Sequence, residues 1–259
     1  MPIDDKYLLE LDPAVLMTMA DPPPTPDRCR DEIRHNLEII EGKPVGLILL
    51  QMIAAWGRWV RVTPFRPTEP ALAHSCNAFT GATQQKSSAT GNTLYAIVQA
   101  SLDRFAPGTS CGKRRRRGGV GEAHEVLFHE LVHAFRALTR TETHLPLDGG
   151  LKDFEDSEEF YAILVENIYA SANGKTKLRA ASIRHTLGHH LDGSFEFYRM
   201  GRQVYPLIKD FWESNFDLCL NLADVKARFN PIRAYQEDAD KCRRISEGAT
   251  AAYRDRHHG

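Results

Sequence analysis

Val126-Leu127-Phe128-His129-Glu130-Leu131-Val132-His133-Ala134-Phe135 is the stretch on which the reading turns. It carries His-Glu-x-x-His inside an apolar run. On an α-helix, residues four apart lie on one face, so His129 and His133 are able to aim both imidazoles at one point. Two neutral imidazoles at that spacing suit Zn²⁺, which favours nitrogen ligands and tetrahedral geometry. Glu130 is turned about 100° from His129, one helical step, so it sits beside such a metal without ligating it. That is the place for a general base acting on a metal-bound water. The competing reading is a surface helix that carries His, Glu and His by chance. The apolar flanks argue against it, because they place the histidines in a half-buried setting.

Outward from the motif, Leu127, Leu131, Phe135 and Leu138 form a core-facing stripe on a helix expected over Gly121 to Leu138. His124 lies about 140° round the helix from His129 and is a poor ligand. After a loop with Pro146 and Gly149-Gly150, a second helix is expected from Asp156-Ser157-Glu158-Glu159 to Asn173-Gly174. Ser157 reads as its N-cap, and the acidic first turn suits the helix dipole.

A catalytic zinc has three protein ligands and an open position for water. The metzincin pattern fails for the third ligand, since Arg136 and Thr139 stand where it needs Gly and His. An aspzincin pattern is matched loosely by Gly149 to Asp153, which keeps Asp153 as an alternate. A glutamate from the following helix is the third source, with Glu158, Glu159 and Glu166 available. Glu159 is preferred, because Ala162 one turn on allows a close approach to the motif helix. Glu166, two turns beyond Glu159, is placed as an acceptor for a ligand histidine. Glu158 and Glu159 could also simply decorate a helix N-terminus. Tyr161, His185 and His189 are candidate oxyanion donors.

The runs His129 to Ala134 and Glu158 to Asn167 resemble the NleD-like bacterial effector and toxin zinc metalloproteases. The resemblance spans roughly residues 35 to 175, and the two helices are its specific part. It implies an α+β, mainly helical fold: a zincin-like, gluzincin-type core with a small sheet beside the motif helix. It also implies peptide-bond hydrolysis in a target cell, as a virulence effector or toxin domain. His129, His133 and Glu159 would then hold Zn²⁺, with Glu130 as the base. A protein substrate, and a secretion chaperone or immunity protein, are the partners implied. Two alternatives stand beside this reading: a non-catalytic zinc-stabilised binding module, and a zinc hydrolase of a non-protein amide. The Arg-rich run before the motif and the long C-terminal helical region depart from the family pattern.

The 259 residues, 42% hydrophobic and 26% charged, have ordinary globular composition. A net charge of -1 gives no bulk attraction for nucleic acid. Lys113 to Arg117 is read as a solvated loop, with an exosite for an acidic partner as the alternative. The five cysteines are widely spaced with no C-x-x-C pattern, so free thiols are expected. No run has the length of a transmembrane helix. The N-terminus lacks the basic and apolar regions of a signal peptide, so a cytoplasmic protein, or one exported by a signal-peptide-independent route, is expected.

Residues 1 to 30, with Asp21-Pro22-Pro23-Pro24-Thr25-Pro26, read as a flexible tail before one metalloprotease domain over 31 to 245. Its core is placed at about 35 to 175 and its helical C-terminal part at 176 to 245. Helices are expected from Asp27 and over Leu47 to Trp56, and strands over Arg58 to Pro64 and Leu94 to Val98. Residues 65 to 92 read as a loop or irregular ribbon. Two or three amphipathic helices are expected between about Phe195 and Cys242, broken at Phe229-Asn230-Pro231.

Overall fold

A computed structural model describes residues 2–4, 9–11, 26–57, 59–63, 79–88, 91–100, 122–151, 154–176, 178–179, 186–187 and 204–240. The fold is α+β and mainly helical. In chain order the elements are β1 (Pro2–Asp4), β2 (Leu9–Leu11), α1 (Pro26–Glu41), α2 (Pro44–Ala55), β3 (Trp59–Thr63), β4 (Phe79–Ser88) and β5 (Gly91–Gln99). The motif helix α3 (Ala123–Thr139), α4 (Ser157–Ala172), β6 (Leu178–Arg179), β7 (Thr186–Leu187), α5 (Val204–Ser214) and α6 (Phe216–Asp224) follow. A last helix, α7, covers 231–240.

The main sheet has five strands in the order β1-β2-β3-β5-β4. β2, β3 and β5 run parallel, and β4 closes one edge antiparallel to β5. Alternation sorts the residues of β3 and β5. Val60, Val62, Ala96 and Val98 are fully buried on one face. Trp59, Arg61, Tyr95 and Ile97 take the other, where the Arg61 guanidinium lies 4.8 Å from the Tyr95 ring centre. The register sets Val62 beside Val98 and Val98 beside Thr80, a row that continues to the β4 edge. α3 packs on β4 and β5 and also against α1, α2 and α4. It is therefore buried nearly all round, as is α4.

Three expectations are corrected. Residues 1 to 30 are not simply a tail: β1 and β2 belong to the sheet, and β2 pairs in parallel with β3. Three-residue strands carry too little pattern to be seen in sequence, and the ladder makes them. The expected ribbon over 65 to 92 contains β4, held by its pairing with β5 rather than by apolar alternation. Consequently β5 is an inner strand, between β3 and β4. Ser157 does not cap α4; Asp156 does, accepting from the Glu159 N–H at 2.9 Å. The Ser157 hydroxyl is turned instead to the preceding loop, donating to the Thr143 carbonyl and accepting from Leu145 N–H. β6 and β7 form a small antiparallel ladder. The proline run over 21–25 and Lys113 to Arg117 lie outside the described residues.

α1 and α2 follow the expected patterns, with Ile33, Leu37 and Ile40 buried from the first and Val45, Leu49, Leu50 and Ile53 from the second. They meet at Gly46, where an added Cβ would overlap the Ile40 carbonyl. Ala gains about 1 kcal/mol over Gly in helix propensity. A clash with backbone outweighs that, because backbone does not rotate away; overpacking costs about 1–3 kcal/mol. Gly46→Ala is thus expected to lower the melting temperature by several degrees, at about 2–4 °C per kcal/mol for a chain of this size. A rise on calorimetry would show that α1 and α2 are not in this contact.

Candidate metal centre

The site lies between α3 and α4. α3 starts at Glu122, whose N–H donates to Glu125 Oε2 at 2.7 Å. That reciprocal cap fixes the helix two turns before His129. His129 Nε2 and His133 Nε2 face one another at 3.2 Å. Glu159, in the first turn of α4, completes the group: Oε2 is 3.5 Å from His129 Nε2, and Oε1 is 3.5 Å from His133 Nε2. In a tetrahedral zinc site with bonds of about 2.0–2.1 Å, ligand atoms stand about 3.3–3.4 Å apart. The two imidazole nitrogens stand close to that separation, and the Glu159 carboxylate approaches each ring with a different oxygen. Among the described residues, the buried Glu159 Oε2 has no hydrogen-bond partner, an orphaned acceptor that a cation would satisfy. His129, His133 and Glu159 could therefore hold a metal ion.

The outer nitrogens of both imidazoles are also engaged. His129 Nδ1 is 3.0 Å from Glu166 Oε2, and His133 Nδ1 is 3.3 Å from Glu158 Oε1. Each carboxylate fixes a ring and directs its Nε2 inward. Each carboxylate is itself anchored. Arg136 Nε donates to both oxygens of Glu158 at 2.9 Å, and Thr143 N–H donates to Glu158 Oε2 at 3.2 Å. Arg179 Nη1 donates to Glu166 Oε2 at 2.7 Å. Arg179 is brought there by Asn167, whose side chain pairs with both the N–H and the carbonyl of Arg179 at 2.8 and 2.7 Å. The clamp docks β6 on α4, one residue from Glu166.

Charge follows from this arrangement. Four carboxylates, of Glu130, Glu158, Glu159 and Glu166, meet two guanidiniums, of Arg136 and Arg179. The formal deficit is two positive charges. A divalent cation with neutral imidazoles would balance it. Protonated imidazoles balance it otherwise. Burial acts to lower the basicity of His133, but hydrogen bonds to Glu158 and Glu159 outweigh it and raise the pKa to about 10. His129 is raised too, as Glu159 and Glu166 overcome burial and the Arg179 charge. Glu166 is held at about 2: burial opposes its charge, and Arg179 and His129 more than offset it. The carboxyl of Glu159 is driven well below its usual range against burial by the two imidazoles.

The structure thus brings together His129, Glu130, His133, Glu158, Glu159 and Glu166. Glu130 is buried beside the histidines, and its Oε2 accepts from the Thr80 hydroxyl at 2.7 Å. Glu158 is no alternative ligand, since both its oxygens are taken up by Arg136, His133 and Thr143. Glu166 meets the outer nitrogen of His129 and not the point where the two Nε2 atoms converge. Tyr161 is not an oxyanion donor in this arrangement. It follows Glu159 by two residues, about 200° round the helix. Its hydroxyl donates to Asp210 at 2.7 Å, and its ring stacks on Phe211. Asp153, His185 and His189 lie outside the described residues. His124, dismissed as a ligand, bridges Glu122 and Tyr169.

Arg136 and Thr80 were missed as site residues. For Arg136 a signal exists: a fully buried Arg within Ala134-Phe135-Arg136-Ala137-Leu138 requires an acidic partner. For Thr80 none exists, because its role depends on sheet register. Of the five cysteines, Cys219 falls among the described side chains and is buried and unbridged.

No protein-family model, curated protein or solved structure matches the chain.

Arg136 ties the site to the core: its guanidinium lies 4.5 Å from the Tyr161 ring centre and 5.3 Å from that of Phe211. Arg136→Met strands a buried Glu158 and is expected to cost about 3–5 kcal/mol in urea unfolding. A loss under about 1 kcal/mol, the level of an exposed pair, would mean that this ion pair does not hold α3 to α4.

Proposed function

We propose that the chain is a zinc-dependent endopeptidase with a zincin-like core, delivered as a bacterial effector or toxin domain to cleave a protein in a target cell. The observation that carries the catalytic part is the triangle of His129, His133 and Glu159 with an unsatisfied Glu159 oxygen, next to a carboxylate, Glu130, that is not one of the ligands. Among the described residues three ligand atoms converge. Three is the number that leaves an open position; structural zinc sites close with four. The donor set of two imidazoles and one carboxylate suits Zn²⁺. Delivery and the target-cell substrate rest on the resemblance carried by the two helices.

When bound, the zinc would supply a water acidified toward a pKa of about 7 and a Lewis acid for the scissile carbonyl. Glu130 takes a proton from that water and passes it to the leaving amine. Glu158 and Glu166 hold the imidazoles in the tautomer that leaves Nε2 free to ligate. Arg136 and Arg179 hold those carboxylates ionised. No helix among the described residues is long and apolar enough to cross a membrane.

The test is zinc per chain, by elemental analysis, together with chelator-sensitive cleavage of a panel of unfolded proteins. Wild type and Glu130→Gln are expected to hold one zinc, with cleavage reduced about 10²–10⁴-fold in the variant. His133→Ala is expected to hold little zinc. Wild-type protein without zinc would end the proposal, and undiminished cleavage by Glu130→Gln would remove the assigned base.

A further inference from the structure

The hydroxyl of Thr80 lies between two oxygens of Glu130. Its Oγ1 is 2.7 Å from Oε2 and 2.9 Å from the main-chain oxygen. A hydroxyl has one proton to donate, and the ionised oxygen is the stronger acceptor. Two other glutamates of the site are partnered by cations, Glu158 by Arg136 and Glu166 by Arg179, and Glu159 lies 3.5 Å from both histidines. Among the described residues, Thr80 is the hydrogen-bond donor to the Glu130 carboxylate. A neutral donor fixes the direction of a carboxylate without setting a second cation against it. That is what a base needs and what a structural carboxylate does not.

The donor is rigid. Thr80 sits on β4 in register with Val98, which is fully buried on the core face of the sheet. Its β-branched side chain has restricted χ1 freedom, whereas Glu130 has three torsions to fix. Directly after it, the register passes from Gly81 opposite Ile97 to Gln84 opposite Tyr95, so β4 holds one extra residue there. Such bulges bend a strand and re-aim its side chains, and they recur beside active sites.

We propose that Thr80 is a positioning residue for Glu130: it holds Oε2 and leaves Oε1 as the oxygen that receives the proton. The proposal rests on the zinc-peptidase reading above. The water O–H bond breaks as the Oε1–H bond forms, and delivery of that proton to the amine nitrogen regenerates the carboxylate.

Acetohydroxamic acid is a suitable probe, because its hydroxyl proton must be accepted by a neighbouring carboxylate when its oxygens reach the metal. Its affinity is read from the visible spectrum of cobalt(II)-loaded protein, with no substrate required. Thr80→Ser keeps the hydroxyl and is expected to bind within about twofold of wild type, while Thr80→Val is expected to bind about tenfold more weakly. In a Glu130→Ala background, Thr80→Val should cause no further loss, since the pair acts as a unit. Thr80→Val binding like wild type would overturn the proposal. So would an equal loss in the Glu130→Ala background, which would make Thr80 a packing residue. Thr80→Ala enters the same cycle if the valine variant does not fold. Failure of wild type to take up cobalt would overturn the metal reading itself, an outcome distinct from the other two.

Discussion

Four carboxylates gathered between two helices and a sheet edge are the constraint to which the rest of the structure answers. A buried, unpaired carboxylate costs several kcal/mol, and four in proximity repel one another. The chain supplies two guanidiniums from different directions. Arg136 comes from α3 itself, seven residues beyond His129. Arg179 comes from β6, pinned by Asn167. Two positive charges are still missing. Glu158, Glu159 and Glu166 around the two imidazoles favour positive charge where Glu159 meets the two Nε2 atoms. An imidazole that ligates must be neutral, so metal and proton compete there for the same nitrogens.

Rigidity is imposed by the same contacts. Glu158 draws in α3 through Arg136, the imidazole through His133, and the 141–148 loop through Thr143. Ser157 fastens that loop from the neighbouring position. The segment joining α3 to α4 is therefore tied to the residues that orient the imidazoles, and loop, helix packing and ring direction are one problem. A buried ion pair of this kind is a poor source of net stability compared with apolar packing. Its presence here is understandable as orientation of His133.

What was legible in the sequence was local. His129 and His133 announce themselves by a four-residue spacing, and Glu166 by its two-turn spacing from Glu159. α1 and α2 follow from the apolar spacing of Ile33 to Ile40 and the run from Val45. What was not legible depends on partners distant in sequence. Arg136 was met as the residue that spoils a glycine position, although an Arg amid Ala, Phe and Leu signals a buried acid 22 residues away. Tyr161 was placed by type and not by face, and its face points to Asp210. β4, rich in Thr, Gln, Gly and Ser, has no apolar period; its ladder with β5 makes it a strand. β1 and β2 are too short to carry any period.

One helical step separates the two kinds of work done by α3. His129 and His133 face α4, where carboxylates backed by cations fix each ring. Glu130, turned by about 100°, faces β4, where a hydroxyl holds it. The candidate metal ligands and Glu130 thus share one helix while drawing their supports from different neighbours. On the α4 side, the acids that position the rings are committed to guanidiniums. Among the described residues, Glu159 Oε2 keeps unused capacity, and Glu130 has no cation in hydrogen-bond contact. Those two carboxylates are the ones a bound cation and a moving proton require. The division between satisfied and unsatisfied acids separates the frame of the site from its chemistry more sharply than the spacing of the histidines does.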